Sequence, residues 1–197
     1  ACPTCGAPSW ADGPAAECAG CREAPPPFDR AAAAYIFGGP LAEAIARFKA
    51  GRVPEFPSVA GPALAAAARR VLQPPPSAPD LAVAVPPDPT RLVRRGFDPG
   101  TQLAAAAARR LGLRLRHGLV VSERRPVPQR SLARAERLRA LAGAFRITPR
   151  GATVLPGRRV LLLDDVRTTG ATIAACATAL LAAGAAGVSV ATLAMVE

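Results

Sequence analysis

Residues 160–172 read Val160-Leu161-Leu162-Leu163-Asp164-Asp165-Val166-Arg167-Thr168-Thr169-Gly170-Ala171-Thr172. An apolar run with no polar alternation is what a central parallel strand requires when both of its faces are covered. The run, taken as a strand over Arg159 to Leu163, ends in two carboxylates. A turn of small residues and Thr hydroxyls follows, then an Ala-rich helix, Ala171 to Ala183, stopped by Gly184, and a second apolar strand, Val188 to Met195. Strand, helix and strand in this order imply a parallel pair joined by a right-handed crossover. Open α/β sheets bind ligands beyond the C-terminal ends of their strands, where Asp164 and Asp165 fall. Free N–H groups and the positive dipole end of the following helix suit a phosphate. Carboxylates repel phosphate, so their partners on the same ligand are hydroxyls or a hydrated metal ion, as on a phosphorylated sugar. Helix capping or surface ion pairing is the simpler reading of the two acids.

Two nucleotide-binding alternatives fail on inspection. A P-loop NTPase needs Gly-x-x-x-x-Gly-Lys-Ser/Thr, and the only lysine, Lys49, is followed by Ala50. No two glycines stand as Gly-x-Gly, so the dinucleotide fingerprint is missing as well.

Upstream, the chain reads as alternating strands and helices. Ala33 to Phe37 is a candidate strand. Pro40 opens a helix carrying Leu41, Ile45 and Phe48 at helical spacing. A second helix covers Ser58 to Leu72, and Pro74-Pro75-Pro76-Ser77 separates it from a strand at Leu81 to Val85. A Pro- and Arg-rich loop from Pro86 to Pro99 leads to a helix from Gly100 to Leu111 ended by Gly112. Short strands are expected at Leu119 to Val121 and Phe145 to Ile147, flanking a basic segment from Glu123 to Arg139 whose second half is helical in pattern.

Four of the five cysteines lie in the first 21 residues, as Cys2-Pro-Thr-Cys5 and Cys18-Ala-Gly-Cys21. Two such pairs can present four thiolates tetrahedrally to a structural Zn²⁺, with Gly6 and Gly20 easing the turns. Four thiolates leave no open coordination position, so this metal is not catalytic. A disulfide framework is the competing reading, but nothing marks the chain as secreted. Trp10 is packing for the small module, and Cys176 is a buried structural thiol. The expected organisation is a four-cysteine ribbon over 1–24, a Pro-rich linker over 25–30, and an α/β domain over 31–197. The segment opens without a signal-peptide pattern and no membrane span is visible, which predicts a cytoplasmic protein.

The formal net charge is +11 in 197 residues. Between Arg91 and Arg150 fifteen Arg face Asp98, Glu123 and Glu136, a net of +12, and the remainder sums to −1. The whole excess therefore lies in one third of the chain. Arg and Ala enrichment also follows from a GC-rich genome, so composition and guanidinium chemistry both explain it. Lone His117 sits in a basic loop and reads as solvated.

Residues 160–172 closely resemble the phosphoribosyl pyrophosphate (PRPP) motif of type I phosphoribosyltransferases. The cysteine ribbon, Val85-Pro86-Pro87-Asp88-Pro89-Thr90-Arg91-Leu92-Val93-Arg94-Arg95-Gly96-Phe97-Asp98, and Gln129-Arg130-Ser131-Leu132-Ala133-Arg134-Ala135-Glu136-Arg137 followed by Gly143-Ala144-Phe145 resemble the ComF subfamily. The chain departs from that subfamily's usual Arg-Gly-Phe-Asn-Gln at Asp98-Pro99, and carries Ala140 where an Asn is common. The resemblance implies a type I phosphoribosyltransferase fold, a parallel-sheet core flanked by helices, with a zinc ribbon near the acceptor-reading hood. Asp164 and Asp165 would hold the ribose 2′- and 3′-hydroxyls. Arg167, Thr168, Thr169, Gly170, Ala171 and Thr172 would bind the 5′-phosphate. Arg91, Arg94 and Arg95 are the pyrophosphate candidates, with Lys49 nearby or else on a helix surface, and Mg²⁺ would bridge pyrophosphate and ribose. The implied activity is phosphoribosyl transfer to an unassigned acceptor. The alternative is an accessory factor handling single-stranded DNA during uptake by competent bacteria, with the competence helicase machinery as partner. The +12 stretch from Arg91 to Arg150 favours DNA; its scarcity of aromatics, Phe97 and Phe145 alone, argues against base stacking.

Overall fold

The computed structural model describes residues 1–8, 16–72, 78–123 and 143–196. Trp10, the 74–77 proline run and most of the basic segment, including 129–137, lie outside the described residues. A short helix α1 (Ala19–Glu23) follows Cys18, and strand β1 (Arg30–Ile36) opens the α/β body. Helices α2 (Gly39–Lys49) and α3 (Phe56–Val71) lead to β2 (Leu81–Ala84), then α4 (Pro89–Arg95) and α5 (Pro99–Arg110). Strands β3 (Val120–Ser122) and β4 (Phe145–Ile147), helix α6 (Pro149–Val154), β5 (Arg159–Arg167), α7 (Ala171–Ala182) and β6 (Gly187–Met195) complete it.

The main sheet has the order β1-β6-β5-β2 with every pairing parallel. A parallel bridge from Ala82 to Leu115 extends it beyond β2. Strands β3 and β4 form a separate antiparallel pair. The parallel α/β architecture is the fold class the sequence implies, with the four cysteines gathered at the N-terminal end.

Because strand side chains alternate between faces, β5 feeds two cores. Val160 and Leu162 join Val83, Val190, Ile173, Cys176 and Leu180 under α7. Leu161 and Leu163 join Leu64, Ala68, Leu103, Ala107 and Leu193 under α3 and α5. Alanine dominates the second core because those two helices pack closely. A Cβ on Gly61 would stand 2.8 Å from the Ala106 Cβ.

The stretch expected as a loop from Pro86 to Pro99 contains α4. Asp88 accepts from the Thr90 and Arg91 amides, Pro89 occupies the first helical position, and Gly96 ends the helix at φ +74°. The cap, the proline and the terminal glycine are each legible in sequence. Sequence reading missed the helix because its seven residues bury nothing and show no apolar period. Asp98 caps α5 in the same way, with Pro99 next. The residues that break the subfamily pattern thus start a helix.

The described residues of the cysteine module meet the sheet at the N-terminal end of β1. The Ala31 amide donates to the Thr4 carbonyl at 2.7 Å, and Gly6 lies so close that a Cβ there would be 2.6 Å from the Ala31 carbonyl oxygen. The module rides on edge strand β1 at its N-terminal half. A backbone pairing site on an exposed edge, rather than chain order, decides its position.

Candidate functional site

Strand β5 does not stop at Leu163 but continues through both acids to Arg167, paired throughout with β6. The pleat therefore sends Asp164 toward α7 and Asp165 toward α2. Asp165 meets Lys49 at the end of α2, with Nζ 2.7 Å from Oδ2. Lys49 is therefore not an unattached surface lysine but is paired with the second acid of β5. Asp164 accepts from the Asp165 amide at 2.8 Å, and Asp165 accepts from the Val166 amide at 2.6 Å. Burial, then repulsion from Asp165, pushes the Asp164 carboxyl up from 3.8 to about 8, with the Asp165 amide and Lys49 opposing. A neutral, protonated Asp164 is thereby favoured near pH 7 in the free protein.

Both acids line one cavity of about 440 Å³ at the C-terminal edge of β2 and β5. Its walls include Lys49, Arg91, Arg95, Asp98, Thr168 and Thr172. The structure thus unites most of the expected site. Arg94 is exposed on α4 and does not line the cavity. Arg167 departs further from expectation: its side chain is 8% exposed, and Nη2 lies 3.3 Å from the Met195 sulfur. It lies beneath the turn, with its Cδ 3.7 Å from where a Gly170 Cβ would stand, and supports the backbone instead of facing ligand. The alternation that carries Asp165 one way carries Arg167 the same way, into the packed sheet edge.

Gly170 stands at φ +76° before α7, whose first turn has no side-chain cap and no acidic residue. Its leading N–H groups therefore lack intrahelical partners. Gly170 and Ala171 can contribute through backbone only, and Ala171 is buried; Thr169 is half-buried and does not line the cavity. Thr192, cross-strand from Asp164 on β6, has a buried hydroxyl without a hydrogen-bond partner. Sequence reading missed both Thr192 and Asp98; a polar residue inside an otherwise apolar strand was the available signal for Thr192.

The sulfur atoms of Cys2, Cys5, Cys18 and Cys21 all lie within 4.8 Å of one another. The Cys5 and Cys18 sulfurs are 3.7 Å apart, close to the edge of about 3.8 Å expected for a tetrahedron of 2.3 Å metal–thiolate bonds. The Cys18 amide points at the Cys2 sulfur at 3.4 Å. These four could hold a metal ion. Cys176 is buried within the α7 core, as expected, and His117 is exposed. Among the described residues no helix is long and apolar enough to cross a membrane.

No family model matches the chain. Among solved structures, the allosteric regulatory enzyme of purine biosynthesis superposes with a TM-score of 0.43 at 20% identity, over 70% of this chain and 25% of that one. The protein TT1426 from Thermus thermophilus gives 0.39 at 22% identity, over 72% and 83%. These superpositions are too loose to add to the fold derived from the strands themselves. The sequence comparison is closer. The DNA utilization protein YhgH of Escherichia coli strain K12 is 34% identical over 194 residues, covering 96% of this chain and 81% of that protein. YhgH of Salmonella typhimurium strain LT2 is 33% identical over 197 residues with the same coverage of 96% and 81%. With a third of its residues shared across nearly its whole length, the chain belongs to the family of the DNA utilization protein YhgH.

Proposed function

We propose that the cavity binds PRPP with Mg²⁺ and that the chain transfers the phosphoribosyl group to an acceptor of unassigned class. The observation that carries this reading is the union, in one cavity, of Asp164 and Asp165 with Thr168 and Thr172 at the uncapped start of α7 and with Arg91 and Arg95. Asp164 and Asp165 orient the ribose hydroxyls. The turn amides, with the Thr168 and Thr172 hydroxyls, hold the 5′-phosphate. Arg91 and Arg95 receive the pyrophosphate, whose oxygens match guanidinium donors in geometry and charge. As the C1–oxygen bond breaks, its electron pair leaves with pyrophosphate, and the nearby carboxylates stabilise positive charge at the ribose. Mg²⁺ carried in with the pyrophosphate would supply further neutralisation of the leaving group. Titration calorimetry with Mg·PRPP tests the reading: binding to the wild type, weakened at least tenfold in Asp164→Asn/Asp165→Asn, is expected. No heat at millimolar ligand refutes it.

The same proposal assigns a structural Zn²⁺ to Cys2, Cys5, Cys18 and Cys21, on the strength of their sulfur spacing. A second role is favoured by the kinship with YhgH: handling of single-stranded DNA, in concert with a helicase of the uptake machinery. A labelled oligonucleotide titrated with the protein at low salt tests it, and absence of binding there refutes it.

A further inference from the structure

The edge of the sheet opposite the cavity carries a second concentration of charge. Helices α3 and α5 begin near the acidic end and run back against the strands, which places Arg69, Arg109 and Arg110 in their last turns. Arg69 Nη2 donates to the Arg110 carbonyl at 3.0 Å and ties the two helix ends together. Arg114 is exposed beside the start of β2, whose Ala82 amide donates to the Arg114 carbonyl at 3.0 Å. Arg116, two residues on, and Arg158, just before β5, line a cavity of about 380 Å³ together with Asp80 and Thr153. No acidic residue occurs in 56–72 or 99–122. Asp80 lies 3.5 Å from Arg158, so it offsets one arginine only.

Arginine in a last turn complements the helix dipole, and this accounts in part for Arg69, Arg109 and Arg110. It does not account for Arg114, Arg116 or Arg158, which stand outside helices. Arg116 Nε is moreover buried with no hydrogen-bond partner. Since other parts of the Arg116 side chain line the cavity, its charge there favours an anion.

We propose that this edge binds the phosphodiester backbone of single-stranded DNA, with one phosphate seated between Arg116 and Arg158. The proposal deepens the DNA-handling reading above and rests on it. No aromatic residue lines the cavity, so recognition is of phosphate and not of stacked bases. A flexible strand can turn a phosphate into a concave cavity; a stiff duplex cannot follow it there. Asp164 is six residues along β5 from Arg158, roughly 20 Å at strand rise, so DNA and a sugar phosphate can be bound together.

Fluorescence anisotropy with labelled oligothymidylate of about 20 nucleotides, titrated across salt concentrations, tests the surface. Arg109→Glu/Arg110→Glu/Arg114→Glu is expected to lower affinity at least tenfold at low salt. It should also flatten the dependence of log affinity on log salt by about 2, at roughly 0.7 for each phosphate no longer neutralised. Arg116→Gln/Arg158→Gln, a milder pair, is expected to lose about tenfold with an unchanged melting temperature, and it decides the matter if the triple variant does not fold. Arg91→Glu/Arg95→Glu, at the other end, should bind DNA within twofold of wild type. Unchanged DNA binding in both of the first two variants, or loss in Arg91→Glu/Arg95→Glu alone, overturns this surface while leaving DNA handling intact. Tighter binding of the matching duplex overturns the choice of single strands. No binding by the wild type refutes DNA handling itself.

Discussion

Asp164→Asn should make the free protein more stable at pH 8 while weakening its proposed ligand binding. The folded state holds the Asp164 proton up to about pH 8, whereas the unfolded chain releases it near 3.8. Well below pH 3.8 both states are protonated, and this difference between Asp and Asn vanishes. Between pH 4 and 8 the unfolded state gains an ionisation that the folded state resists, so wild-type stability falls with pH through this window relative to the Asn variant. At about 1.4 kcal/mol per pH unit the full interval sets an upper bound of about 6 kcal/mol. The carboxyl is only partly buried, and water reaching it trims the expected gain to about 2–3 kcal/mol. Urea unfolding of both proteins from pH 4.5 to 9 measures this directly, because the difference cancels every titrating group they share. The gap should open progressively and flatten above pH 8. A gap that stays constant with pH, or a variant less stable than wild type at pH 8, refutes the account of Asp164 as a carboxyl strained by burial and by its neighbour.

Lys49→Met removes the partner of a carboxylate only 14% exposed. At pH 7 it should lower stability by about 1–3 kcal/mol, measured by the same unfolding, and Lys49→Met/Asp165→Asn should recover part of the loss. Gly61→Ala would gain up to about 1 kcal/mol from helix propensity alone, yet its Cβ would sit 2.8 Å from the Ala106 Cβ. A lower melting temperature than wild type is expected, and a higher one shows that α3 and α5 separate at little cost. Metal analysis should find one Zn²⁺ per chain, released by a strong chelator and absent from Cys5→Ser/Cys18→Ser. Proteolysis after Zn²⁺ loss should begin within the first 24 residues and spare the main sheet.

The region from Arg159 to Met195 was the most legible, because an apolar strand covered on both faces, a turn of small residues and a glycine-stopped helix each leave a local mark. The acidic pair was legible for the same reason. Helix α4 was missed although Asp88-Pro89 and Gly96 announce its two ends, since a helix that buries nothing has no apolar period. Strand β5 was placed four residues short because acidic residues are poor strand formers, and it is the ladder with β6 that carries the chain on to Arg167. Arg167 looked like a ligand residue in a line of residues; its register buried it.

By itself the sequence determined that the chain folds as a parallel α/β protein, that it brings four cysteines together near one end, and where the carboxylate pair and the Thr-rich turn lie along it. These depend on periodicity, spacing and capping over a few residues. Only the tertiary structure decided that Lys49 reaches Asp165, that the cysteine module rides on β1, and that, among the described residues, arginines near in sequence stand at two ends of the sheet. Arg91 and Arg95 face the cavity, whereas Arg109, Arg110, Arg114 and Arg116 gather at the opposite edge. The physical reason is the direction of the chain. A helix returning against a parallel strand carries charges that adjoin in sequence to the far side of the molecule, and only the packed sheet fixes that separation.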